Sequence, residues 1–420
     1  MIKENNRNPS AKTYLCGKIG KSVKFNPKTW SAIGGDCEAP ELLRKMAELN
    51  PDDTFVIITR NDVDKHRNEL GIPDNLVDVY SGASKEERKD LNFVSNALKD
   101  KKIDGCFLMS GPTANCNIPN KSWKRTLLKN GEKQYAKALE TFINYVAPVY
   151  NFLNESNIPW VMIANDPRYI RQGNDLQNQP VKILSQYDET ILMQCFDNWE
   201  DQNYIKNEIP SVYAGMEKMF LIDKEKPSQE LIDSKKTKFM VVLNEGNNGV
   251  KSRYPMIKEY ILDHIDDVEI YGKWDEDTVK GDTRFKGSIK FEDLQEKLSD
   301  VKYSFMVSIT DGWVTMKVWE LISHGIIPFM HPNYDNQMHC KVPDYIRISE
   351  PAELHTKIEE LENNPVLYKK ILSECINAMT DDDFSGKKLS DTILNSCPNI
   401  NKVGIEIKPF EHEERELDDW

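Results

Sequence analysis

Asp311-Gly312-Trp313-Val314-Thr315-Met316-Lys317-Val318-Trp319-Glu320 is the stretch from which the fold can be read. An apolar run, Tyr303 to Ile309, precedes it and reads as a buried strand. Val318, Leu321, Ile322 and Gly325 then fall on one helical face, and Ile326 to Met330 reads as another strand. A polar turn therefore joins a strand to a helix that leads into a parallel strand, the place where open α/β sheets bind ligands. The turn carries Asp311, Gly312 and Thr315, and the helix carries Lys317 and Glu320. A helix N-terminus beside a lysine suits a phosphate, and a carboxylate one turn on suits sugar hydroxyls.

Upstream, Phe239 to Leu243 reads as a strand entering the turn 244–249, with Lys251 and Arg253 just beyond. A helix from Pro255 to His264, a strand Val268 to Tyr271, the run Gly287-Ser288-Ile289 and an amphipathic helix bearing Leu294 and Leu298 lead back to Tyr303. Downstream, Ala352 to Leu361 and Val366 to Met379 read as two helices split at Asn364-Pro365. Residues after Met379 lack a strong period, and their last stretch, Glu411 to Asp419, is an acidic, solvated tail.

The N-terminal half has the same grammar. Lys12 to Ile19 is a first strand; Gly34-Gly35-Asp36 lies before a helix from Pro40 to Leu49, and Thr54 to Thr59 is the next strand. The glycine pair would admit a phosphate or sugar close to the backbone, and it equally spells a plain tight turn. Cys106 to Met109 and Pro159 to Ala164 are further buried strands, and Lys182 to Ser185, Thr190 to Cys195 and Ser211 to Ala214 are short ones. Asn165-Asp166-Pro167-Arg168 sets an acid and an arginine at a strand's C-terminal end, which reads as a crevice pair or as a capped turn. Charged Glu225 to Lys238, with Pro227, is the expected linker. The chain is thus α/β with two Rossmann-like domains: residues 1–230, residues 231–380, and a segment 381–420 packing back on the first domain.

At 420 residues the chain exceeds one ordinary core. Hydrophobic residues at 39% and charged residues at 29% describe a soluble protein, and no apolar run approaches the roughly 20 residues that span a bilayer. The polar N-terminus resembles neither a signal peptide nor an anchor, so a cytoplasmic location and no integral membrane association are expected. The eight cysteines form no C-x-x-C pair or zinc spacing.

A net charge of −13 argues against a general nucleic-acid coat protein but leaves room for a local basic groove. One such segment exists. Lys121, Lys124, Arg125, Lys129, Lys133 and Lys137 face a single acid, Glu132, with Trp123 among them. A basic stretch with an aromatic can bind a phosphodiester backbone; the other reading is a solvated loop entering a helix.

This order of elements resembles the two-domain GT-B glycosyltransferases, whose domains face a cleft and whose donors are nucleotide-diphosphate sugars. Tyr271-Gly272, Gly287-Ser288-Ile289, Leu294 and Leu298, then Asp311-Gly312-Trp313, Glu320, Gly325 and Pro328 match the run that carries the family signature. The resemblance implies that Glu320 holds the donor ribose and Lys317 neutralises the diphosphate. It further implies backbone amides near Val314 and Thr315 at the helix start, Gly34 and Gly35 near the sugar phosphate, and Lys251 and Arg253 as basic residues of the donor site. Glycine at 312 replaces the first of two glutamates eight apart in the large retaining group, and Asp311 lies nine before Glu320. Among GT-B enzymes, Thr315 to Glu320 is similar to the donor-binding helix start of the β-linking, inverting phage glucosyltransferases that act on hydroxymethylated cytosine in DNA. That likeness implies Asp166 as catalytic base, with Asp36 second, and Trp123, Lys124, Arg125 and Arg168 toward DNA, in a phage-encoded enzyme working in the host cytoplasm.

No cofactor is expected for the chemistry beyond the donor, most simply UDP-linked. Asp62-Val63-Asp64 has the spelling of a metal motif but reads as a helix start, so a divalent metal is compatible and not indicated. Two rivals stand beside this reading: a transferase of polysaccharide or glycolipid synthesis, and a non-catalytic α/β binding protein or scaffold.

Overall fold

A computed structural model describes residues 10–19, 38–57, 63–84, 86–87, 90, 92–110, 160–164, 189–192, 211–213, 225–245, 252–308, 314–315, 317–336, 338, 340–382 and 385–396. Two all-parallel sheets organise them. The first contains β1 (Thr13–Ile19), β2 (Thr54–Ile57), β3 (Leu76–Asp78), β4 (Gly105–Ser110), β5 (Trp160–Ala164), β6 (Glu189–Leu192) and β7 (Ser211–Tyr213), in the order β3-β2-β1-β4-β5-β6-β7. Parallel strands covered on both faces are apolar almost continuously. Tyr14, Leu15 and Cys16 of β1 and Phe55, Val56 and Ile57 of β2 are accordingly all buried. The three-residue β3 was not foreseen, being too short to carry a period. Its neighbour Asn75 gives it a place, the side-chain amide reaching the carbonyls of Ala47, Asn50 and Asp53 at 2.9, 3.0 and 3.0 Å. The helix Glu38–Leu49 buries Leu43, Met46 and Ala47.

The second sheet contains β8 (Lys236–Val242), β9 (Val268–Tyr271), β10 (Phe285–Gly287), β11 (Val301–Met306) and β12 (Ile327–Met330), in the order β10-β9-β8-β11-β12. Every residue of β12 is buried. By contacts the chain divides into two units, Met1–Met193 with Gln202–Ala214 and Leu389–Trp420, and Gln194–Asp201 with Gly215–Lys388.

Three expectations need correction. The stretch Glu225 to Lys238, read as a linker, holds a helix, Gln229–Ser234, and the first residues of β8. Ser228 caps that helix, its Oγ accepting from the Leu231 amide at 3.1 Å, and Lys236 and Lys238 are charged because they lie exposed at the start of the strand. The helix expected from Pro255 to His264 begins as α over Tyr254–Ile257 and continues as a π-helix over Lys258–Leu262. Beyond Met379, where no period was legible, a helix spans Gly386–Ser396, with Ser390 and Ile393 fully buried and Asn50 Nδ2 donating to Ser390 Oγ at 3.2 Å.

The two helices expected around Asn364-Pro365 are found at Pro351–Asn363 and Pro365–Met379. Asn364 Oδ1 accepts the Leu367 amide at 3.1 Å, and Pro365 occupies the first helical turn. Of Asp62-Val63-Asp64, the last two residues open a helix, Val63–Leu70, in which Asp64 bonds Arg67 and Ser81, and Asp62 lies outside the described residues. The Ser81 and Arg67 hydrogen bonds hold the Asp64 carboxyl below its ordinary pKa. Among the described residues no helix is long and apolar enough to cross a membrane. The expected strand at Lys182 to Ser185 lies outside them.

Candidate functional site

In an open parallel sheet, ligands bind beyond the carboxyl ends of the strands where the chain order reverses. The second sheet reverses between β8 and β11, which pair directly while the chain runs outward from each. A buried arginine spans this point. Arg253 is 8% exposed; its Nε donates to the Val307 carbonyl just past β11 at 3.2 Å, and its Nη1 to the Asn244 carbonyl just past β8 at 2.5 Å. The guanidinium thus ties the loop ends beyond the two paired strands together. Arg253, expected as a donor-site cation, lies buried at the switch point with its guanidinium on both strand-end carbonyls.

Around that guanidinium Glu245 fixes the loops. Ser252 Oγ donates to one carboxylate oxygen at 2.5 Å, and the Asp275 amide donates to the other at 2.6 Å. Gly272, at the end of β9, has φ +143°, and a Cβ there would lie 1.9 Å from the Leu243 carbonyl oxygen. Only glycine permits the ends of β8 and β9 to approach so closely.

The turn after β11 meets its support from β12. Tyr334, fully enclosed in the turn following β12, accepts the Thr315 amide hydrogen at its hydroxyl oxygen, 2.9 Å away, and donates to the Thr315 carbonyl at 3.2 Å. Burial pushes its phenol well above the ordinary range, so the hydroxyl keeps its proton and remains a donor. The Thr315 amide, foreseen as a phosphate ligand, is therefore occupied by Tyr334. Ser308 and Asn333 add a second clasp: the Ser308 amide donates to Asn333 Oδ1 at 3.2 Å, and Asn333 Nδ2 donates to the Ser308 carbonyl at 2.7 Å.

The helix Lys317–Ser323 begins two residues after Thr315. Lys317 and Glu320 lie one turn apart on it and form an ion pair through Nζ and Oε2. Glu320 is 1% exposed, whereas the Lys317 side chain is 21% exposed. A carboxylate so deep needs a counter-charge and further donors. Lys317 supplies the first. Gln295, on the helix Phe291–Ser299, supplies another, its Nε2 donating to Glu320 Oε1 at 3.4 Å. His324 Nε2 lies 2.7 Å from Gln295 Oε1, and His324 Nδ1 lies 2.8 Å from the Glu320 carbonyl oxygen. A partly exposed cation thus stands at the helix start beside a buried, oriented carboxylate.

Of the residues singled out in the sequence, the structure brings Thr315, Lys317 and Glu320 together and sets Arg253 beneath the same strand ends. Gly34, Gly35, Asp36, Trp123, Lys124, Arg125, Asp166, Arg168, Lys251 and Asp311 lie outside the described residues. Tyr334, Asn333, Gln295 and His324 were not anticipated. For His324 a signal existed, its spacing four residues after Glu320 at the end of the same helix. Tyr334, Asn333 and Gln295 join the site through tertiary contact alone.

No protein-family model matches the chain, and no curated protein matches it in sequence. Solved structures do match over its length. The DNA-modifying enzyme β-glucosyltransferase superposes with a TM-score of 0.56 at 14% identity, covering 92% of this chain and 99% of that one. T4 phage β-glucosyltransferase in complex with UDP-glucose gives 0.54 at 13% identity, with the same coverage. A glycosyltransferase from Rickettsia africae gives 0.51 at 11% identity, covering 93% and 99%.

The fold is GT-B.

A GT-B chain has two Rossmann-like sheets, and both are present here. At these identities the likeness concerns the fold. The arrangement of Lys317, Glu320 and their supports belongs to this chain's own geometry.

Proposed function

We propose that the protein is a glycosyltransferase that moves a sugar from a UDP-linked donor to a hydroxyl acceptor. The observation that carries this is the Lys317–Glu320 pair at the first turn of the helix following the switch-point strand of a GT-B sheet. The pair offers a cation to a diphosphate and a carboxylate to a ribose diol. Donor binding replaces the internal ion pair with one external ion pair and a set of hydrogen bonds: the diphosphate takes Lys317 and the ribose hydroxyls donate to Glu320. As the bond from the anomeric carbon to the diphosphate oxygen breaks, the charge gathering on the leaving group is met by a fixed ammonium. Removing one such group typically costs about 2.7–4 kcal/mol of barrier.

The acceptor oxygen forms the new bond to the anomeric carbon, and its proton passes to a carboxylate. Asp166 is the proposed base, two residues past the end of β5, with Asp36 the alternative. The proposed acceptor is 5-hydroxymethylcytosine in double-stranded DNA, reached by extruding the base. Two facts support it: the β-glucosyltransferases that share the fold, one of them a DNA-modifying enzyme, and the basic, tryptophan-bearing segment 121–137. Gly34, Gly35, Lys251 and Asp311 are proposed to complete the donor site, and Trp123, Lys124, Arg125 and Arg168 the DNA side.

The test is incubation with hydroxymethylcytosine-containing or plain DNA and a panel of nucleotide sugars, read by mass spectrometry of nucleosides. A sugar mass added to the modified base alone is the expected result. Slow donor hydrolysis without DNA transfer would keep the transferase and discard the acceptor, and silence with every donor would discard both. Lys317→Ala and Glu320→Ala should each lower turnover by at least about a hundredfold in folded protein. Near-normal turnover would remove this helix from the site.

A further inference from the structure

The buried carboxylate of Glu320 is held by groups that do not reach the crevice through their own element. Gln295 stands on the helix between β10 and β11, and His324 stands just past the C-terminal end of the helix after β11. The amide of Gln295 bridges them: Nε2 faces Glu320 Oε1 at 3.4 Å, and Oε1 faces His324 Nε2 at 2.7 Å. This orientation keeps the amide oxygen away from the carboxylate. The other ring nitrogen of His324, Nδ1, faces the Glu320 carbonyl at 2.8 Å, and Ser323 Oγ donates to that same carbonyl at 2.8 Å; with an acceptor at each nitrogen, His324 makes both ring bonds together only as the doubly protonated imidazolium. The path closes on itself: carboxylate, amide, imidazole, and the backbone of the residue that carries the carboxylate.

We propose that Gln295 and His324 are positioning residues for Glu320, aiming its carboxylate at the donor ribose and holding it there when Lys317 leaves for the diphosphate. The inference rests on the proposed role of Glu320 and adds to it which residues set nucleotide affinity without touching the nucleotide. The physical need is specific. Once Lys317 turns to a phosphate, Glu320 loses its neighbouring counter-charge, and a buried carboxylate free to rotate would meet the diol in many geometries. A fixed donor on Oε1 leaves Oε2 facing the position that Lys317 vacates.

A merely structural role for the bridge would weaken binding of every nucleotide alike, whereas positioning acts through the ribose hydroxyls alone. The experiment therefore compares UDP with 2′,3′-dideoxy-UDP by calorimetry on the full chain. Wild-type protein should prefer UDP by about tenfold or more, as expected for hydrogen bonds to a charged group, and Glu320→Gln should erase most of that preference. Gln295→Met and His324→Phe should each reduce the preference at least threefold while leaving affinity for the dideoxy nucleotide within about twofold. His324→Gln, which can still donate to Gln295 Oε1, should restore part of it. An undiminished preference in Gln295→Met and in His324→Phe overturns the positioning role while leaving Glu320 on the ribose. A wild-type protein without preference, or a Glu320→Gln variant that keeps it, overturns the ribose reading itself. Should His324→Phe fail to fold, the half-exposed Gln295 carries the test through Gln295→Met.

Discussion

The Tyr334 hydroxyl is one atom that serves the turn after β11 twice. It satisfies both backbone groups of Thr315, a residue on the short polar link between β11 and its helix. Tyr334→Phe keeps the ring and its packing but takes the hydroxyl from the half-buried Thr315 amide, while the Thr315 carbonyl keeps the Val318 amide at 3.3 Å. A buried group left unsatisfied costs about 1–3 kcal/mol. The expected outcome is a loss at the lower end of that range in urea unfolding together with weaker UDP binding. Unchanged stability and affinity would mean that the turn is held by other contacts. Lys317 and Glu320 were legible in the sequence because a cation and an acid at helical spacing after an apolar run have few other readings. Tyr334 was not, since nothing in its neighbours announces a contact with a residue nineteen positions earlier.

At the scale of elements, two features hold the ligand edge of the second sheet in shape. The first is the close approach of β8 and β9 at Gly272. A side chain there would collide with the Leu243 carbonyl in a backbone conformation that already disfavours one. Gly272→Ala should cost at least about 2 kcal/mol and reduce donor affinity, because the loops carrying Asn244 and Asp275 start from these strand ends. A thermal melt and a UDP titration measure both; a variant as stable as wild type would show that the strands can part without penalty.

The second feature is Lys235, buried at 7% exposure just before β8, whose Nζ donates to the Leu298 and Ser299 carbonyls at 2.9 and 3.2 Å, closing the end of the helix that carries Gln295. Burial pushes its amine down to about 8, against the pull of Asp300 and from an ordinary 10.5. Below about pH 8 the group is charged whether folded or unfolded, and the cost of burying that charge is present in full. Between about 8 and 10.5 the folded protein releases a proton that the unfolded chain keeps, so this site adds stability as pH rises. Wild type should therefore gain on Lys235→Met by up to about 3 kcal/mol from pH 7.5 to pH 10. Denaturant unfolding of both proteins across that range gives the difference; a flat one would place the amine in solvent.

For the molecule as a whole, charge decides whether DNA is a credible partner. A net −13 protein that binds a polyanion must do so through a local patch, and segment 121–137 carries six basic residues against one acid. Reversing Lys124 and Arg125 to glutamate should lower DNA affinity and flatten its dependence on salt while leaving donor hydrolysis intact. Binding assays at two or more salt concentrations decide it, and an unchanged salt slope would assign the segment to solvent.

The two sheets were readable at this scale because parallel strands are nearly unbroken apolar runs, as in Phe239 to Val242 and Ile327 to Met330. What escaped reading were elements whose character comes from partners. The helix Gln229–Ser234 is charged enough to pass for a linker, the three-residue β3 is too short for a pattern, and the helix Gly386–Ser396 packs beside Asn50 from the far end of the chain. Half of the candidate site was hidden for the same reason: Gln295 and Tyr334 matter only once the strands are laid side by side.

That last packing has a consequence in time. Asn50 and Ser390 are 340 residues apart, and both belong to the unit built on the first sheet. A ribosome adding about 5–20 residues per second would need roughly 17–70 s to go from one to the other. Throughout that interval Asn50 waits for Ser390, and strands β2 to β7 are all made before it arrives. The unit built on the first sheet therefore gains the helix Gly386–Ser396 only after all twelve described strands of both sheets have been made.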